Sequence, residues 1–150
     1  MGNFQLRQVP LLSRVGADRA DQLRTDTDAA VAGWSSAALL RVDPRNQVLV
    51  ADGRVELHEA SDLGKTPPSD AVFLGRVEDG RHVWAVRGAL QAPTGADVSV
   101  LDIRATGDIF DDVSAQLVSA AIALLNWHDN ARFSAVDGTP TKPVRSGWAR

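Results

Sequence analysis

Residues 71–87 read Ala-Val-Phe-Leu-Gly-Arg-Val-Glu-Asp-Gly-Arg-His-Val-Trp-Ala-Val-Arg, and this stretch decides the fold. Two runs, 71–77 and 81–87, flank Glu78-Asp79-Gly80, a turn whose glycine tolerates the left-handed backbone that a tight reversal needs. Successive side chains of a strand point to opposite faces. Val83 and Ala85 therefore share one face and Trp84 and Val86 the other, and both faces are apolar. Such a hairpin predicts strands with packed layers on both sides.

Working toward the N-terminus, 36–42 and 47–51 are short runs rich in Leu and Val, joined by Asp43-Pro44-Arg45-Asn46. Proline at the second turn position presets φ for a type I turn, so the pair reads as a hairpin. Asp52-Gly53 supplies a second turn into 54–57, where Val55 and Leu57 alternate with Arg54 and Glu56, which predicts a three-stranded meander. Residues 18–31 carry Ala20, Leu23, Ala30 and Val31 among Asp and Arg and precede Gly33, the pattern of a surface helix with a glycine cap. Residues 58–70 hold Gly64, Pro67 and Pro68 without periodicity and read as an exposed connection.

Toward the C-terminus, 98–104 predicts a last short strand. Asp111 and Asp112 then introduce the strongest helical segment. Val113, Leu117, Ala121 and Leu125 recur every four residues, and Val118 and Ile122 widen the stripe. Asp112 is placed to accept from the orphan amides of the first turn. Residues 132–150 carry Arg132, Lys142, Arg145 and Arg150 against Asp137 alone, with Gly138, Pro140, Pro143 and Gly147 between them. They cannot form a core by themselves, and Trp148 has almost nothing after it to pack against, so the chain is expected to continue into a second domain. The fold class is α+β, a mostly antiparallel sheet with flanking helices.

Composition bounds the function. The 150 residues are 44% apolar and 23% charged with a formal net charge of −3, so no global field favours nucleic acid or an anionic membrane. The longest apolar run, Ala120 to Leu125, is far shorter than the roughly 20 residues of a membrane span, and a cytoplasmic location without membrane contact is expected. There is no Cys, which removes disulfides, thiolate nucleophiles and thiolate metal sites together.

Little of the remaining sequence has catalytic spacing. Asp26 with Asp28, Glu78 with Asp79, and Asp111 with Asp112 are the close carboxylates, at positions where Asp is favoured for local hydrogen bonding: a helix surface, a turn and a helix start. An unrelated enzyme built on these pairs is disfavoured, because they share no face. His58, His82 and His128 lack metal-pair spacing; His82 falls on the hairpin, His58 in a loop, and His128 near a helix end where terminal carbonyls suffice as partners. Neither a glycine-flanked nucleophilic Ser nor a glycine-rich phosphate loop is present. Basic and aromatic residues interleave only at Arg132, Phe133, Arg145 and Trp148, which reads as a solvated linker.

Residues 124–133, Leu-Leu-Asn-Trp-His-Asp-Asn-Ala-Arg-Phe, are the distinctive segment. They resemble the helix-to-knuckle junction of NADH pyrophosphatases of the Nudix hydrolase superfamily, most closely the actinobacterial type. In that family a helix ends in Trp-His, an aromatic follows, and a zinc ribbon begins with Cys-x-x-Cys-Gly. The strand Val72-Phe73-Leu74-Gly75 before a hairpin containing Trp84 is likewise similar to the family's rudimentary Nudix-like domain. On that resemblance residues 1–112 form the rudimentary Nudix-like domain, 113–131 a connecting helix, and 132–150 a vestigial zinc-ribbon start leading to a catalytic domain.

The family's zinc cysteines fall on Ser134 and Asp137, while Gly138 keeps its glycine. A hydroxyl and a carboxylate do not replace two thiolates, so zinc is expected to be absent. The knuckle turn is expected to survive through Gly138 and hydrogen bonding. The Nudix box needs four glutamates to hold divalent metal, and this chain has only Glu56, Glu59 and Glu78. No catalytic or cofactor-binding residue is assigned here, and the fragment is expected to be inactive. The resemblance implies a parent protein that hydrolyses NADH or NAD to nicotinamide mononucleotide and AMP with Mg²⁺ or Mn²⁺. It implies relatives that also remove NAD caps from RNA, and a homodimer whose N-terminal half braces the catalytic Nudix domain. Trp127, Phe133 and Trp148 are the residues expected to dock on that domain. The alternative is a stand-alone nucleotide-binding or regulatory module using Arg81, Arg87 and Arg132.

Overall fold

The structure, a computed structural model, describes residues 16–95, 97–106 and 109–150. Residues 1–15 of the first assigned domain lie outside the described residues. The described chain runs α1 (Asp21–Thr25), α2 (Thr27–Ala32), β1 (Ala38–Val42), β2 (Gln47–Ala51), β3 (Arg54–Val55), β4 (His58–Glu59), β5 (Val72–Arg76), β6 (His82–Arg87), β7 (Ser99–Asp102), α3 (Ile103–Thr106) and α4 (Asp112–Asn130).

The 71–87 hairpin forms as its alternation predicts: β5 and β6 pair antiparallel, with a register shift between Phe73 and Gly75. They belong to a four-stranded sheet ordered β4-β1-β6-β5, in which β1 runs parallel to β6 with Leu39 opposite Trp84. Both faces of this sheet are buried. Leu40, Val83 and Ala85 pack with Leu117, Val118, Ala121 and Leu125 of α4 and with Val48 and Val50 of the second sheet. Leu39, Trp84 and Val86 pack on the other side with Ala30, Trp34 and Phe73. There Trp34 and Trp84 meet edge to face at 5.6 Å, and Phe73 meets Trp84 at 5.3 Å, the arrangement that ring quadrupoles favour.

Several expectations are corrected. The 36–51 turn exists, closed by Asp43, whose carboxylate accepts from the amides of Arg45 and Gln47, both at 2.8 Å. Its strands do not form one ladder, however. Both edges of β1 are taken, by β4 and β6, so β2 crosses into a three-stranded sheet ordered β3-β2-β7. The second turn does form a hairpin, with Val50 opposite Val55 across Asp52-Gly53.

The single helix expected over 18–31 is two. Asp26 leaves the helical region at ψ 83° and caps α2 by accepting from Ala29 N at 3.0 Å, the competition with the helix for which Asp is known. Gly33 is right-handed, at φ −81°, and is glycine for space, since a Cβ there would collide with the His82 ring. The 58–70 connection is partly structured: β4 pairs with β1, and a short 3₁₀ turn, Ala60–Leu63, buries Ala60 completely. The last strand stops at Asp102 and yields to α3. At the head of α4 the cap is Asp111, not Asp112. Asp111 is extended, at φ −65° and ψ 167°, and accepts from Ser114 N at 2.7 Å, whereas Asp112 is already inside the helix.

Candidate functional site

The candidate site lies where α4 meets the last twenty residues. Consecutive residues on a helix point about 100° apart, so Trp127 and His128 face opposite environments: Trp127 is 41% exposed and His128 is buried. His128 Nε2 lies 2.7 Å from Gly147 O, and Arg150 Nη1 lies 2.9 Å from His128 Nδ1. A guanidinium only donates and a carbonyl only accepts. These contacts pair Nε2–H with the Gly147 carbonyl and leave Nδ1 to accept from the guanidinium. The sequence pointed to the helix's own terminal carbonyls as partners; the residue used instead is Gly147, 19 positions further on.

After α4 the chain folds into a small hairpin. Phe133 bridges Pro140, Ser134 N donates to Thr139 O at 2.8 Å, and Gly138 N donates to Ser134 O at 2.9 Å. Ser134 and Asp137 close this turn with their side chains. Ser134 Oγ accepts from the amides of Val136 and Asp137 at 3.2 and 3.4 Å, and Asp137 Oδ1 accepts from Thr139 N at 3.1 Å and Thr139 Oγ1 at 2.9 Å. The Thr139 amide, helped by the Ser134 and Thr139 hydroxyls, holds the Asp137 carboxyl below the ordinary aspartate range. This donor set does not fit zinc: it is one hydroxyl and one carboxylate, both occupied by the turn. Among the described residues no three His, Asp or Glu side chains gather as a metal site.

The tail then returns to the body of the molecule. Trp148 is half-buried against the α4 side of the sheet, donates from Nε1 to Phe73 O at 2.5 Å, and lies under the Arg24 guanidinium, 3.5 Å from the ring centroid. Burial lowers Arg24 from its ordinary value, against the opposing pull of Asp21. Arg150 ties the end down by donating to Thr141 Oγ1 at 2.9 Å and Thr141 O at 3.0 Å. Trp148, with almost nothing after it in the sequence to pack against, finds its partners about the sheet and not in the tail. Of the three proposed docking aromatics, Trp127 and Phe133 (65% exposed) present open surface.

The arginines of the nucleotide-binding alternative are not brought together. Arg87 is bound by Asp129 at 2.9 Å and Asn126 at 2.7 Å, Arg81 lies 3.3 Å from Glu59, and Arg132 lines a separate cavity of about 590 Å³ with Lys142 and Arg150. The carboxylate pairs serve local structure. Asp26 and Asp111 cap helices, and Asp79 accepts from Arg81 N at 2.8 Å. Sequence reasoning missed Arg24 and Arg150, whose partners are far along the chain; only the density of Arg in a short tail hinted at the second.

The described residues form a two-sheet α+β module whose four-stranded sheet is covered on both faces, in a chain that carries only three glutamates. The family model for the NADH pyrophosphatase-like rudimentary NUDIX domain matches residues 27–127, more than half of the chain. The chain belongs to this family. Among curated relatives it is 68% identical over 150 residues to the NAD-capped RNA hydrolase NudC of Mycobacterium tuberculosis (strain H37Rv) and equally to that of Mycobacterium bovis (strain AF2122/97). The match takes in 99% of this chain and 48% of each relative, so the chain spans about half the length of the curated relatives it matches and corresponds to their N-terminal part. No helix of the described residues is long and apolar enough to cross a membrane.

Proposed function

We propose that this chain is the non-catalytic supporting half of an enzyme that hydrolyses the pyrophosphate of NAD(H) or of NAD-capped RNA. The observation that carries the reading is the 68% identity to half of NudC hydrolases, in a chain whose three glutamates fall short of the metal-holding box. In this reading the module up to residue 112 braces the catalytic domain, α4 connects the two, and 132–150 is the degenerate ribbon start. Trp127 and Phe133 dock on the catalytic domain of the same polypeptide within a cytoplasmic homodimer. Magnesium or manganese is held by the catalytic half. Zinc has no role in this segment.

The test is hydrolysis of NADH by the chain alone with Mg²⁺ or Mn²⁺, read as AMP release. The expected result is no release above a mock preparation, with activity present in a protein that joins this chain to a Nudix-box domain. Turnover by the chain alone overturns the division of labour.

A further inference from the structure

The last nineteen residues hold Arg132, Lys142, Arg145 and Arg150 against Asp137 alone, in a molecule whose net charge is −3. Folding gathers three of these cations. Thr141 N donates to Arg132 O at 2.9 Å and Thr141 Oγ1 to Ala131 O at 2.8 Å, so the base of the 133–140 hairpin sets Arg132 beside the Thr141-Lys142 segment. Arg150 reaches the same place through its bonds to Thr141 and His128. Arg132, Lys142 and Arg150 all line one cavity of about 590 Å³, within the size range of small-molecule pockets.

The protein does not cancel the charge of this cavity. Arg150 is half-buried, and its partners are a hydroxyl, two carbonyls and an imidazole nitrogen, none of them an acid. Those contacts use four of the five N–H donors of a guanidinium and leave one. Arg132 and Lys142 are exposed and make no side-chain hydrogen bond or ion pair among the described residues. Two carboxylates share the walls, Asp70 and Asp129. Asp129 is taken by Arg87, which donates to it from Nε at 3.1 Å and from Nη2 at 2.9 Å, and Asp70 pairs with none of the cations. Three cations thus stand against one unengaged carboxylate. Like charges held in a cleft repel one another and concentrate the field that draws in a counter-ion, and a guanidinium partly withdrawn from water without an anionic partner costs free energy.

We propose that this cavity binds a small multivalent oxyanion, the chemistry that inorganic phosphate and short polycarboxylates share. The planar fork of Arg132 suits two oxygens of one phosphate or carboxylate, and Lys142 meets the ion as a point charge. Arg150 adds a charge already fixed in place by Thr141 and His128. With Asp70 in the wall, the excess of two positive charges matches a divalent ion better than a monovalent one. This inference does not depend on the supporting role proposed above, since it concerns binding by this chain and not hydrolysis.

The experiment is isothermal titration calorimetry of the 150-residue chain with phosphate, citrate and acetate in dilute Tris buffer, because salt screens such contacts. The same additions are read as a rise in Tm, which binding to the folded state produces. The expected result is one saturable site for phosphate or citrate and none for acetate. Arg132→Gln and Lys142→Gln each weaken it about tenfold, the loss of one charge-assisted hydrogen bond, and leave the Tm of the free protein unchanged or raised, since neither side chain has a partner there. Arg19→Gln removes the same charge at a different cavity and leaves the affinity nearly as it was. Tighter binding of phosphate assigns the inorganic ion and tighter binding of citrate a polycarboxylate; either supports the proposal. No saturation by either reading at millimolar phosphate and citrate, equal weakening in Arg19→Gln, acetate binding as tight as that of the multivalent ions, or tighter binding of AMP than of both overturns it.

Discussion

Replacing Trp148 by Ala separates the structure's account of the tail from the account that treats it as a free linker. Three interactions are lost: packing of a half-buried indole, the hydrogen bond to Phe73 O, and the Arg24 cation over the ring. A fully buried Trp→Ala change costs about 3–5 kcal/mol, so half burial gives about 2. The hydrogen bond adds about 1 kcal/mol, and Phe73, which is fully buried, loses that partner for its carbonyl. The cation over the ring contributes about 0.5–1 kcal/mol. A loss of about 3.5–4 kcal/mol lowers Tm by roughly 7–16 °C in a chain of this size. The assay is thermal unfolding of the chain followed by circular dichroism, with Val136→Ala as the control. Val136 is 96% exposed and should cost within about 0.5 kcal/mol. Were the two variants to melt together, close to the parent, Trp148 would not be anchored to this module and the tail's return would be refuted.

Two further outcomes follow from local geometry. Gly147→Ala places a Cβ against Val72 at φ 90°, whereas Gly138→Ala meets open space at φ 72°; the first should cost about 2–3 kcal/mol and the second about 1 in chemical denaturation, and equal losses would show that the Val72 contact is not tight. The Asp137 carboxyl is held below the ordinary aspartate range by the Thr139 amide. A depressed folded value means its contribution is complete above the unfolded pKa, about 3.9, and fades as pH falls through the folded one. The Thr139 amide resonance should therefore stay fixed from neutral pH to about pH 5 and move only in stronger acid, and a midpoint at or above the ordinary value would contradict the hydrogen-bonded turn.

What the sequence made legible was what local pattern determines. The 71–87 hairpin could be read because a period of two, apolar on both faces, admits few other structures, and α4 because its apolar residues recur every four positions. Asp43-Pro44-Arg45-Asn46 disclosed a turn but not the partners of its strands. Pairing of β1 with β6 joins residues more than 40 positions apart, and no turn residue encodes that choice. The break at Asp26 was hidden for a related reason: an Asp reads equally as helix surface and as cap, and only its backbone decides. The candidate site was the least legible part, since its anchors span the chain, Trp148 to Phe73, Gly147 to His128 and Trp148 to Arg24. A tail that cannot build a core alone can still complete one elsewhere.

That completion bears on the supporting role proposed above. His128 faces inward to receive Gly147, and Trp127 faces outward beside it, with their rings 4.9 Å apart. Arg150 meanwhile ties His128 to Thr141, just beyond the 133–140 hairpin that carries Phe133. The two exposed aromatics are therefore mounted on parts fixed by the same buried histidine, so their relative placement is set before any partner arrives. Preorganisation of this kind reduces the entropy lost on association. The Ser134–Asp137 turn contributes in the same way, holding the hairpin closed with hydrogen bonds made within the chain.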